Sequence, residues 1–116
     1  MEPREKLNII ASSMDRKKAH DILALAVGQH SSLADYFVLC DAQSSTQVSA
    51  IADDILESMQ KAGFRPLHLE GYRSAVWVLL DFGDVVAHVF TTETRQFYNI
   101  ERLWDDAEQV ELGLGE

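Results

Sequence analysis

The chain has 116 residues, a formal net charge of −9, 47% hydrophobic and 25% charged residues, one Cys and two Pro. This length and composition describe one folded domain around a single core, and exclude a disordered or fibrous chain. The acidic balance disfavours direct binding to a nucleic-acid backbone, which draws its affinity from Lys and Arg, and steers the protein toward basic partners.

Pro3 and the recurrence of Leu7, Ile10, Ala11 and Met14 predict an amphipathic helix over residues 3–17, with Lys17 and Lys18 suited to its C-terminal end. Ile22–Val27, bounded by Gly28 and the polar Gln29–Ser32, has the length of a strand, and Tyr36–Cys40 is a second, apolar throughout and therefore buried on both faces. Val48, Ile51, Ala52, Ile55, Leu56 and Met59 form the clearest helical stripe, opened by Ser44-x-x-Gln47 as a capping box and closed by Gly63. Pro66–Glu70 reads as a short edge strand. Ala75–Asp81 and Asp84–Phe90 flank Phe82-Gly83 as a hairpin. Thr91 or Thr92 caps a last helix with the stripe Phe97, Ile100 and either Leu103 or Trp104, and residues 105–116 read as an acidic, frayed tail. The predicted order is αββαβββα, a small α/β (α+β) domain over residues 1–104 with a mixed sheet of about five strands.

Cys40 cannot form an internal disulfide and lies in an apolar run, so it reads as a buried structural thiol in a reducing compartment. The longest apolar run, Ala75–Leu80, is far short of a membrane span, and the N-terminus has neither a signal-peptide apolar region nor a transit composition. The expectation is a cytoplasmic protein.

Alternation along the hairpin sorts its side chains into two sets. An even loop places Val76, Val78, Leu80, Val85, Ala87 and Val89 on one face, suited to covering by helices. The other face then displays Trp77, Leu79, Asp81, Asp84, Val86, His88 and Phe90, the composition of an interface core with a polar rim if it stays open. If a helix packs there instead, Trp77 is ordinary core.

No catalytic signature is complete. Asp81-Phe82-Gly83 spells the kinase metal-binding tripeptide, but there is no Gly-rich phosphate loop, and the tripeptide reads as a hairpin turn. His20, His30, His68 and His88 lack metal-ligand spacing, and Cys40 is too apolar in setting to pair with His88 as a nucleophile. Asp53 and Asp54, adjacent on a helix, diverge by about 100° and read as a solvated face. Asp81 and Asp84 approach each other at the hairpin end, where turn capping is the simpler role. Neither a metal nor a cofactor is expected.

The segments Ser31-Ser32-Leu33-Ala34-Asp35-Tyr36-Phe37-Val38-Leu39, Ser44-Ser45-x-Gln47-Val48, Glu70-Gly71, Trp77 through Phe90, and Glu93-x-Arg95-x-Phe97-Tyr98-x-Ile100-Glu101-x-Leu103-Trp104 closely resemble the ribosomal silencing factor, or Iojap-like, family. The likeness runs in one register over residues 4–104. It implies a nucleotidyltransferase-like fold without catalytic acids, homodimers, and a non-enzymatic factor. Such a factor binds a basic protein of the large ribosomal subunit, protein fourteen, blocks joining of the small subunit and represses translation when nutrients are short. The expected contacts are Trp77 as an anchor, Asp81, Asp84 and Glu70 as acids facing basic side chains, Tyr72 as a loop contact, and His88 and Tyr98 as polar-tipped aromatics. The chain departs from the family in having Asp41-Ala42-Gln43-Ser44 where a Gly-Thr-Ser turn is usual, and Leu25-Ala26 where many members have Leu-Asp. Two other classes compete: a nucleotide-binding, nucleotidyltransferase-like domain, with an anion at Ser44-Ser45 that Asp41 would repel, and a homodimeric adaptor unrelated to ribosomes.

Overall fold

A computed structural model describes residues 2–29 and 34–114. Most of the predicted Gln29–Ser32 boundary, His30, and the Ser31–Leu33 part of the family likeness lie outside the described residues.

Helix α1 (Pro3–Arg16) opens with a capping box between Glu2 and Glu5, and buries Leu7, Ile10 and Met14. Helix α2 (Ser45–Lys61) begins where the Ser44 hydroxyl accepts from the Gln47 amide at 3.2 Å. The reciprocal half of the predicted box is shifted by one residue, since the Gln47 side chain accepts from the Gln43 amide instead. Gly63 follows α2 with φ +93°, a left-handed conformation that favours glycine.

The strands are β1 (His20–Ala26), β2 (Tyr36–Ala42), β3 (His68–Glu70), β4 (Trp77–Asp81), β5 (Val85–Thr91) and β6 (Glu108–Val110). They form one mixed sheet of six strands in the order β3-β4-β5-β2-β1-β6, in which β2 and β5 run parallel and the other neighbours antiparallel. The sixth strand corrects the expected frayed tail. Residues 108–110 pair with Ala26–Ala24, Val110 and Leu112 pack on the core, and Arg4 holds the Glu111 carbonyl at 2.6 Å. The unpaired edge of β1 recruits this acidic segment, whose single apolar strand residue carries too little alternation to read as a strand.

The hairpin pairs Asp81 with Val86, so the spacing between the paired residues is the even one. Val78, Leu80, Val85, Ala87 and Val89 accordingly join α1 and α2 in one fully buried aliphatic core. Val76 does not join them, because it precedes the strand and is exposed. Gly71, at φ +74°, backs directly onto the Trp77 carbonyl, and a Cβ there would sit 2.0 Å from that oxygen. No other residue fits, so this contact ties the β3–β4 connection to the base of β4.

The last predicted helix is broken in two. Helix α3 (Thr92–Tyr98), capped by the Thr91 hydroxyl, stops at Asn99 in a left-handed conformation (φ 45°), and a 3-10 helix, Ile100–Trp104, follows. Asn tolerates that backbone better than most side chains, so it redirects the chain and rotates the expected stripe. Trp104 and Ile100 turn inward, whereas Phe97 and Leu103 are 79% and 77% exposed.

Candidate functional site: the aromatic face of the sheet

The two helices cover only one side of the sheet. On the other lie Leu25 from β1, Phe37 and Leu39 from β2, Val86, His88 and Phe90 from β5, and Trp77 and Leu79 from β4. This face is not fully open, as one expectation held, nor is it sealed by a helix. The 3-10 helix and Ala107 pack over its β1–β2 part, with Trp104 edge-on to Phe37 at 5.1 Å. Toward β4 the cover ends. There Trp77 and Leu79 are half-buried, and Tyr98, 54% exposed, lies 5.1 Å from the Trp77 ring.

His88 is corrected from a contact residue to a buried one, since it is only 4% exposed. Its Nδ1 accepts from the Trp77 indole N–H at 3.2 Å, and it packs against Phe37 and Phe90. Its Nε2 has no hydrogen-bond partner among the described residues. Burial pushes its pKa down to about 4, so the imidazole is neutral at physiological pH.

The expected acids divide by environment. Glu70 pairs with Leu79 and His68 with Asp81 across β3 and β4, so Glu70 and Asp81 share the face that carries Trp77. Glu70 is exposed. The Asp81 carboxylate accepts from the Gly83 amide at 2.8 Å, a turn-capping bond that leaves its other oxygen for further contacts. Asp84, expected to face a basic partner, is engaged within the chain: it accepts from the Lys6 ammonium at 2.9 Å and so ties the hairpin to α1. Tyr72 donates to Asp53 on α2, which leans it toward the helical side, away from Trp77, and that carboxylate raises its pKa. The site that remains together is Trp77, Tyr98, Leu79, Asp81 and Glu70.

Nothing in the composition signalled the polar network around Arg95. The Arg95 side chain is nearly buried and donates to Asp41 and to the Asp21 carbonyl, each at 2.8 Å, and to both oxygens of Glu101 at 3.3 and 3.2 Å. Thr92 donates to the second Asp41 oxygen at 2.6 Å. Burial alone would lower the Arg95 pKa, but Glu101 and Asp41 outweigh it and raise it. The one available signal was a pairing argument: Asp41 closes an apolar strand, and a carboxylate in such a place needs a cation.

Burial pushes the Cys40 thiol far up, which leaves it unreactive. Asp53 and Asp54 do diverge, but Asp54 is not merely solvated: Ser13 and Arg16 donate to it from α1. Burial works against its charge, yet those donors hold the carboxyl below its ordinary range. At the anion site considered at Ser44-Ser45, the Ser44 hydroxyl oxygen accepts from the Gln47 amide and so engages one of the donors that an anion would use. Among the described residues no group of three His, Cys, Asp or Glu side chains is placed to hold a metal ion, and no helix is long and apolar enough to cross a membrane.

Fold and candidate site together describe an α+β domain with a mixed six-stranded sheet, one face of which carries half-buried aromatics flanked by acids. The family model described as "Ribosomal silencing factor during starvation" matches residues 1–115, and the chain belongs to that family. It is 44% identical over 115 residues to the ribosomal silencing factor of Bacillus subtilis, spanning 99% of this chain and 98% of that one. It is likewise 44% identical over 112 residues to the ribosomal silencing factor of Halalkalibacterium halodurans, with 97% and 96% covered. A crystal structure of a protein from Bacillus halodurans superposes with a TM-score of 0.84 at 41% identity, covering 94% of this chain and 99% of that one.

Proposed function

We propose that the chain binds the large ribosomal subunit through a basic ribosomal protein, protein fourteen, and prevents the small subunit from joining. The observation that carries this reading is the uncovered end of the aromatic face, where half-buried Trp77 and exposed Tyr98 meet at a tilt and Glu70 and Asp81 share the same face. Large aromatics that can desolvate on docking dominate protein interfaces, and acids at their rim select a basic partner. The net charge of −9 argues for a protein rather than an RNA backbone as the main contact. Inhibition is steric: a domain with a radius of gyration of 12.8 Å seated at the subunit interface occupies space that the other subunit must enter. The setting is the cytoplasm, and the effect is repression of translation under nutrient limitation.

Co-sedimentation tests the reading. The protein is expected to travel with isolated large subunits and with purified protein fourteen, and to shift subunit mixtures away from joined ribosomes. Free protein at the top of the gradient in both cases would sink the proposal.

A further inference from the structure

Helix α3 and the 3-10 helix bury no residue completely, so hydrophobic burial alone does not account for their fixed position. Yet this arm carries Tyr98 onto Trp77 and projects Phe97 and Leu103 into solvent. Its one nearly buried charge is Arg95. The guanidinium grips the sheet through Asp41 on β2 and the Asp21 carbonyl on β1, and grips the 3-10 helix through both oxygens of Glu101. These bonds straddle Asn99, the left-handed residue where the arm bends and whose amide donates to the Arg95 carbonyl at 2.8 Å. A planar fork of donors fixes orientation as well as distance, which a single Lys ammonium cannot do.

We propose that Arg95 is a positioning residue: its clamp between Asp41 and Glu101 locks the bend at Asn99, and so sets Tyr98 over Trp77 for docking. The inference rests on the aromatic face being the binding surface. It also gives Asp41 a role. Asp41, near the C-terminal end of β2, supplies the carboxylate that anchors Arg95 to the sheet. Arg95 touches no partner in this scheme and acts through Tyr98, Phe97 and Leu103.

Glu101 is the place to cut the clamp, because removing it frees the 3-10 helix while Asp41 keeps Arg95 paired. In the full chain, Glu101→Ala is expected to leave the thermal midpoint within a few degrees and to speed amide exchange at residues 99–104. Affinity for isolated large subunits should fall by about tenfold. Glu101→Gln keeps one acceptor and should fall between wild type and Ala on both exchange and affinity. Arg95→Lys, which loses the fork but keeps the charge, should behave like Glu101→Ala. Unchanged exchange at residues 99–104 in Glu101→Ala overturns the clamp. An affinity loss that tracks a fall in thermal midpoint overturns positioning in favour of plain stability. If the wild-type chain does not bind large subunits, the docking surface is wrong, and the exchange data still decide whether Arg95 locks the arm.

Discussion

The two faces of the sheet are built from alternate residues of the same strands, yet they are finished in different ways. On the helical side, Val78, Leu80, Val85, Ala87 and Val89 meet Leu7, Ile10, Ile51 and Ile55, all with no exposure. On the other side, one end is covered by the 3-10 helix, and the other stops at half-buried Trp77 and Leu79, with a polar His88 beneath the aromatics. Each Val, Leu or Ile side chain fully buried on the first face contributes roughly 1.5–3 kcal/mol. The second face leaves part of Trp77 and Leu79 in water and keeps an imidazole nitrogen without a partner among the described residues, both of which cost stability. On the proposed reading, stability resides on the helical side of the sheet and recognition on the other.

Truncation on the helical face should break the first half of that comparison most severely. Ile51→Ala is expected to destabilise the fold by about 2–5 kcal/mol, read as a lowered denaturation midpoint, since it opens a cavity between α2 and the sheet. Binding by the fraction still folded should be unchanged.

Acid should expose the weakness of the aromatic face. His88 titrates at about 4 when folded, against an ordinary value of 6.5, so the unfolded chain binds more protons between those pH values. Stability is therefore full above pH about 6.5 and declines as pH falls toward about 4, by as much as about 3 kcal/mol. Asp54, held below its ordinary 3.8, contributes stability that is lost only in more acidic solution, so the two losses fall in different windows. His88→Leu should flatten the slope between pH 6.5 and 4 in chemical denaturation. A slope unchanged in that variant would assign the acid sensitivity elsewhere.

These contrasts also mark what the sequence made legible. Alternation in β4 and β5 assigned every paired residue to its face, because a hairpin with one aliphatic set has only one register that buries it. The α2 stripe, with Ser44 before it and Gly63 after it, was equally readable, since caps and periodicity agreed. The misses share a cause: each was decided by contact between distant segments. β6 exists because β1 had a free edge, and Asn99 breaks the last helix where Arg95 is pulled toward Asp41 and Glu101. Of the site, Trp77, Tyr98, Glu70 and Asp81 could be placed from pattern and family likeness. The roles of His88, Asp84 and Tyr72 could not, because Trp77, Lys6 and Asp53, which engage them, lie at least 11 residues away in the chain.

Trp77→Ala should sharpen the second half of the comparison. Loss of a central aromatic anchor is expected to weaken large-subunit binding by about 2 kcal/mol or more, with a smaller effect on folding because the ring is only half-buried. The opposite balance, normal binding in a protein that melts far more readily, would return Trp77 to the core.

The smallest effects distinguish two acids that the sequence could not tell apart. Glu70 is exposed at the rim of the aromatic face, whereas Asp84 is engaged by Lys6 with little of that pair open to solvent. Glu70→Gln should therefore lower affinity by at most about 1 kcal/mol, mainly through slower association, and the difference should vanish as salt screens the rim. Asp84→Asn should do the reverse. It removes the tie between the hairpin and α1, so about 1 kcal/mol is expected to be lost from stability while association with large subunits keeps its rate. Association kinetics across a salt series, measured beside denaturation curves for both variants, separates the two. A rate defect in Asp84→Asn would mean that Lys6 releases this acid on docking, and the recognition face would then extend around the hairpin tip to α1.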